Sequence, residues 1–138
     1  MLPNRFSRLL VASVCLFLSG CAGFQRNSAS PEERVAERAL AQAQALQAGD
    51  YQTALEYTTP AYRASPRAAS YQAQYNGTTW WSDVTVGRVT CEQIADPLRC
   101  EVRLIVTVFR PPMTSSAWPI PLDKTWIRVE GDWYVFER

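Results

Sequence analysis

At Thr78 the spacing of apolar residues changes period, and no other feature limits the fold of this chain as sharply. Before it, Val35, Ala39, Ala43 and Leu46 recur at helical intervals; after it, Val102, Leu104, Val106 and Val108 alternate with polar residues. A period of about 3.6 residues puts the first set on one stripe of a helix, and a period of two puts the second on one face of a strand. Helices first and strands after predict an α+β domain with helices laid over one face of a curved antiparallel sheet of about four strands. Ser30-Pro31-Glu32-Glu33 predicts a helix start, with serine as N-cap and Glu33 closing a capping box, and Gly49 ends that helix after Ala48. Asp50 caps a second helix from Tyr51 to about Tyr57. Short proline-started turns follow at Pro60 and Pro66, and Asn76-Gly77 breaks the last near Tyr75. Strands are predicted over 83–91 with a bulge at Gly87, and over 100–109, 122–129 and 133–137. The last two join at the tight turn Glu130-Gly131-Asp132.

With these elements in place, the chain resembles the nuclear-transport-factor-2-like superfamily of cone-shaped α+β domains, especially its small bacterial lipoprotein members. The residues that carry the likeness are Ala48-Gly49-Asp50-Tyr51 with Ala54 and Tyr57, then Thr59-Pro60-Ala61-Tyr62-Arg63, and finally Thr125-Trp126 with Gly131-Asp132-Trp133-Tyr134. Such degenerate motifs bear on fold far more than on function.

The N-terminus reads as a segment removed during export. Arg5 and Arg8 precede an apolar run from Leu9 to Leu18, and the small residues Ser19 and Gly20 stand directly before Cys21. A charged start, a short apolar core and a small-residue exit predict a secretory signal. The run falls short of the roughly 20 residues that a membrane span needs. Leu18-Ser19-Gly20-Cys21 resembles the lipobox of bacterial lipoproteins, in which the cysteine thiol accepts a diacylglyceryl group and becomes the new N-terminus. Several acyl chains, at roughly 0.8 kcal/mol per buried methylene, hold a protein at a membrane where one would not. The same resemblance implies that Ala22 directs the chain to the outer membrane of the bacterial envelope, facing the periplasm. The expected divisions are therefore 1–20 as signal peptide, 21–30 as lipidated Cys21 and short tether, and 31–138 as one domain.

Export also accounts for the cysteines. Cys15 leaves with the signal, Cys21 takes the lipid, and Cys91 and Cys100 remain in an oxidising compartment, where a disulfide is the expected pairing. Without its first 20 residues the 138-residue chain has 118, enough for one core, with 12 basic against 13 acidic side chains. Near-neutral charge leaves no field for nucleic acid or anionic lipid.

The chain has no histidine, which removes the commonest general base, the serine triad and most transition-metal sites. No catalytic residue, metal ligand or cofactor is assigned. Aromatic residues are the richer signal. In one reading Tyr57, Tyr62, Arg63, Trp80 and Trp126 line a pocket between helices and sheet that takes a small apolar ligand; in the other these rings are core. Adjacent Trp80 and Trp81, if both lie on a strand, point to opposite faces. The connection from Arg110 to Pro121 is long for a hairpin, and Met113, Trp118 and Ile120 make it a candidate partner loop. The leading expectation is a noncatalytic envelope lipoprotein with an accessory or protein-interaction role, its partners the membrane, through Cys21, and another envelope protein.

Overall fold

The structure is a computed structural model that describes residues 29–109, 111–112 and 116–138. Cys21, its tether up to residue 28, the signal segment and Met113 lie outside the described residues.

Helix α1, Pro31–Gln47, begins as its sequence dictates. The Ser30 hydroxyl accepts the Glu33 N–H at 3.1 Å, and the Glu33 carboxylate accepts the Ser30 N–H at 2.8 Å. Its buried stripe is Val35, Ala39, Gln42, Ala43 and Leu46. The helix ends where Gly49 adopts φ 73°, a region that residues with a Cβ rarely visit. Helix α2, Tyr51–Glu56, is capped by Asp50, and α3, Pro60–Arg63, by Thr59. A 3₁₀ turn at Pro66–Ser70, the short α4 at Tyr71–Tyr75 and a second 3₁₀ turn at Asn76–Trp80 lead to the sheet.

Strands β1 (Trp81–Cys91), β2 (Arg99–Val108), β3 (Trp118–Val129) and β4 (Asp132–Val135) form an antiparallel meander in that order. The register slips between Val86 and Arg88, so Gly87 is the bulge, and Val84, Val86, Val89 and Cys91 all reach the inner face. A Cβ on Gly87 would sit 3.1 Å from the Ile105 side chain and 3.3 Å from the Arg103 carbonyl. The β3–β4 turn places Glu130 and Gly131 at φ 51° and 93°, the left-handed pair that a two-residue hairpin turn requires. Cys91 and Cys100 pair directly across β1 and β2 and are joined by a disulfide, with Cα atoms 3.9 Å apart.

Two expectations are corrected. Trp118 and Ile120 are not in a loop: the ladder runs on through Ile120 opposite Val106 and Trp118 opposite Val108. The Arg128 N–H bonds toward β2, to the Leu98 carbonyl, while the Thr125 carbonyl accepts the Phe136 N–H on the β4 side. Odd-numbered positions of β3 therefore bond away from β2. Pro119 and Pro121 are odd, and β4 pairs only with Trp126–Val129, so their missing N–H groups cost no ladder bond. Ile120 packs against the core, and Trp118 is 39% exposed at the sheet's end. The condition that Trp80 and Trp81 share a strand is not met either: Trp80 is the last residue of a 3₁₀ turn and exposed, whereas Trp81 opens β1 and is half-buried between the two core clusters.

The larger core lies between α1 and the inner face of the sheet and contains Trp126, Trp133, Val102, Leu104, Val106 and Val135. The smaller one gathers Leu46, Ala54, Tyr62, Tyr71 and Tyr75 under the short helices. The Val135 N–H donates to the Tyr57 carbonyl at 2.9 Å, tying β4 to the end of α2.

Candidate functional site

On α1, Arg34, Arg38 and Ala41 recur at helical spacing beside the buried alanine stripe, and they face the β3–β4 turn. Tyr57 ends α2, Arg63 ends α3, and Tyr134 lies on β4. These elements meet around one guanidinium. Arg38 Nε donates to the Trp133 carbonyl at 2.6 Å, and its guanidinium lies 5.1 Å from the Tyr57 ring centre and 5.5 Å from that of Tyr134. Arg63 comes from the other side: its Nη1 donates to the carbonyls of Glu56, at 2.8 Å, and Thr58, and its guanidinium is 5.6 Å from the Tyr134 ring.

Three adjoining open clefts share Arg38. One of 340 Å³ is lined by Arg34, Glu37, Arg38, Tyr57, Asp132 and Trp133, and one of 220 Å³ by Arg38, Thr53, Glu56 and Tyr57. The third, 460 Å³, is lined by Arg38, Glu56, Arg63, Asp132 and Tyr134. Among the described residues no carboxylate stands within 4.0 Å of either the Arg38 or the Arg63 guanidinium. Both arginines are half-buried, whereas Glu37, Glu56 and Asp132 are exposed. Each guanidinium is thus fixed by main-chain carbonyls and tyrosine rings, with N–H donors still uncommitted among its five.

Of the residues expected to line an apolar pocket, only Tyr57 and Arg63 meet here. Trp126 is fully buried in the larger core, and Tyr62 packs edge-on against Tyr71 in the smaller one, with ring centres 6.2 Å apart. Trp80 sits at the sheet's end, where its carbonyl accepts the Phe109 N–H at 3.1 Å. The space between helices and sheet is filled instead by the indoles of Trp126 and Trp133, 0% and 2% exposed. Arg38 and Tyr134 escaped the sequence reading because their contact joins residues almost a hundred positions apart. The available hint was an arginine bordering an alanine stripe.

A second polar cluster is buried. The Tyr75 hydroxyl donates to Glu137 Oε1 at 2.6 Å and accepts from Lys124 Nζ at 2.5 Å, and the Glu137 side chain is only 5% exposed. Burial first, and then the Glu137 charge, pushes the Tyr75 hydroxyl's pKa far up; burial does the same to Tyr71, which accepts from Gln42 at 3.1 Å. This cluster pins the C-terminus to α4. A third feature is an apolar groove of 360 Å³ lined by Pro60, Ala61, Ile127, Val129 and Phe136. Among the described residues no three His, Cys, Asp or Glu side chains are grouped to hold a metal ion, and no helix is long and apolar enough to cross a membrane.

No protein-family model and no curated protein matches this chain. Solved structures do. A SEC-C motif containing protein from Psychrobacter arcticus superposes with a TM-score of 0.57 at 14% identity, over 80% of this chain, which spans 63% of that protein's length. A SEC-C motif containing protein from Rhodopseudomonas palustris gives 0.54 at 16% identity, over 72% of this chain and 73% of the other. A Campylobacter jejuni protein described as an NTF2-like transpeptidase gives 0.52 at 11% identity, over 74% and 96%. At these identities the likeness establishes a shared α+β fold of the NTF2-like kind and carries no activity with it.

Proposed function

We propose that this chain is a noncatalytic accessory domain of the bacterial envelope, held by lipid on Cys21 at the periplasmic face of the outer membrane, and that it works by binding at its surface. The observation that carries the reading is the filled interior: the space that a cone of helices and sheet offers to a ligand or reacting group holds Trp126 and Trp133. What is left for recognition is outside, where the cleft around Arg38 presents fixed donors. The Cys91–Cys100 disulfide supports an oxidising compartment.

A photoreactive amino acid placed in living cells at position 41, which lines the cleft beside Arg38, or at position 113 tests the reading. Discrete crosslinked adducts in the membrane fraction are expected, and Cys21→Ser should remove both the membrane association and the adducts. No adduct at either position under any growth condition, with the chain soluble, would overturn it.

A second reading, apolar-ligand binding, has one observation in its favour, the groove beside Phe136. The strand register puts Ile127, Val129 and Phe136 on the face of the sheet turned away from the α1 core, where Pro60 and Ala61 at the start of α3 complete the groove. A fluorescent fatty acid that binds, and is lost from Phe136→Ser, would favour this reading over the first.

A further inference from the structure

We infer that the cleft around Arg38 and Arg63 binds a peptide that ends in a free carboxylate and carries a cationic group within a residue or two of it. This deepens the surface-binding reading and rests on it.

Arg38 commits its Nε to the Trp133 carbonyl and Arg63 its Nη1 to the carbonyls of Glu56 and Thr58; the Nη pair of the first and the Nε and Nη2 of the second have no protein acceptor among the described residues. Both side chains line one 460 Å³ cleft with the Tyr134 ring between them. Guanidinium groups immobilised in advance lose little freedom on binding, and their planar forks match a carboxylate in two-point contact.

The signs of the lining choose among anions. Arg34, Arg38 and Arg63 alternate with Glu37, Glu56 and Asp132 across the adjoining clefts. A phosphate dianion or a nucleic acid would meet three carboxylates at the rim, whereas a ligand carrying both signs at short separation satisfies both sets. The clefts run on from one another through Arg38, with Tyr57 and Tyr134 as flat walls, so the shape accepts a short chain rather than a compact ion.

The test titrates the purified chain, as the cell processes it, with the tripeptide Ala-Lys-Ala while tryptophan fluorescence is followed. Saturation is expected for the free acid, and binding weaker by about tenfold for the C-terminal amide, the loss typical of a charge-assisted contact. Arg63→Gln should weaken the free acid by a similar factor. Asp132→Asn, an exposed position in the turn, should weaken Ala-Lys-Ala but not N-acetyl-Ala-Ala-Ala, which keeps the carboxylate and carries no cation, with circular dichroism unchanged for both variants. Equal binding of acid and amide, displacement by inorganic phosphate as effective as by the peptide, or no saturation up to about 10 mM would overturn the inference. The titration needs neither the lipid nor a cellular partner. Its failure alone leaves the envelope reading in place, and failed crosslinking leaves the titration standing.

Discussion

Trp126 and Trp133 put two of the chain's five indoles at the centre of the cone, and among the described residues neither indole N–H has an acceptor. A buried unpaired donor costs about 1–3 kcal/mol, so volume outweighs hydrogen bonding at these positions. Trp126→Phe should therefore cost under about 1.5 kcal/mol, because the lost volume is offset by removal of the orphaned N–H. Trp126→Ala should cost about 3–5 kcal/mol by opening a cavity. Urea denaturation of the two variants checks the contrast. The buried tyrosines add a dependence on pH. Burial raises the hydroxyl pKa of Tyr62, Tyr71 and Tyr75 above the ordinary value of 10.0, so folding favours their protonated form. The stability this gives is fully present below pH 10 and is lost as pH rises beyond it. Absorbance at 295 nm should show these three ionising in one step that coincides with loss of near-ultraviolet circular dichroism. Gradual ionisation in a chain that stays folded would contradict this.

At the scale of elements, the β1–β2 hairpin depends on its disulfide. Closing a loop of about ten residues stabilises by roughly 2.7 kcal/mol in the chain-entropy model, so Cys91→Ala with Cys100→Ala should lower the unfolding free energy by about that amount. Thermal denaturation of the double variant with and without reductant checks it, and reductant should shift only the parent chain. This hairpin was legible in the sequence, because the cysteines and the Gly87 bulge act within a few residues. So were the Ser30–Glu33 capping box and the left-handed turn at Glu130-Gly131. The start of β3 was not. Proline reads as a strand breaker, and only the finished ladder reveals that Pro119 and Pro121 turn their nitrogens to the side where, among the described residues, no strand pairs with that part of β3. The cleft was half legible: Tyr57 and Arg63 were singled out, but Arg38 and Tyr134 join them only once α1 lies across the sheet edge. The Tyr75–Lys124–Glu137 cluster was hidden for the same reason, although Lys124 is the chain's one lysine.

For the molecule as a whole, the decisive matter is where empty space lies. Arginine and tyrosine side chains hold clefts open on the outside, while the interior between α1 and the sheet is closed by packed indole and aliphatic carbon. The same α+β plan could house a ligand if its inward positions were small, so the contents of the cone, and not its outline, direct this account to surface recognition. A dry internal cavity takes up xenon, whereas a packed interior does not. Diffraction from crystals of the chain held under xenon pressure is thus the most direct measurement. Xenon density absent from the region bounded by Trp126, Trp133 and Val102 is the predicted result. A xenon atom bound among those side chains would contradict the account.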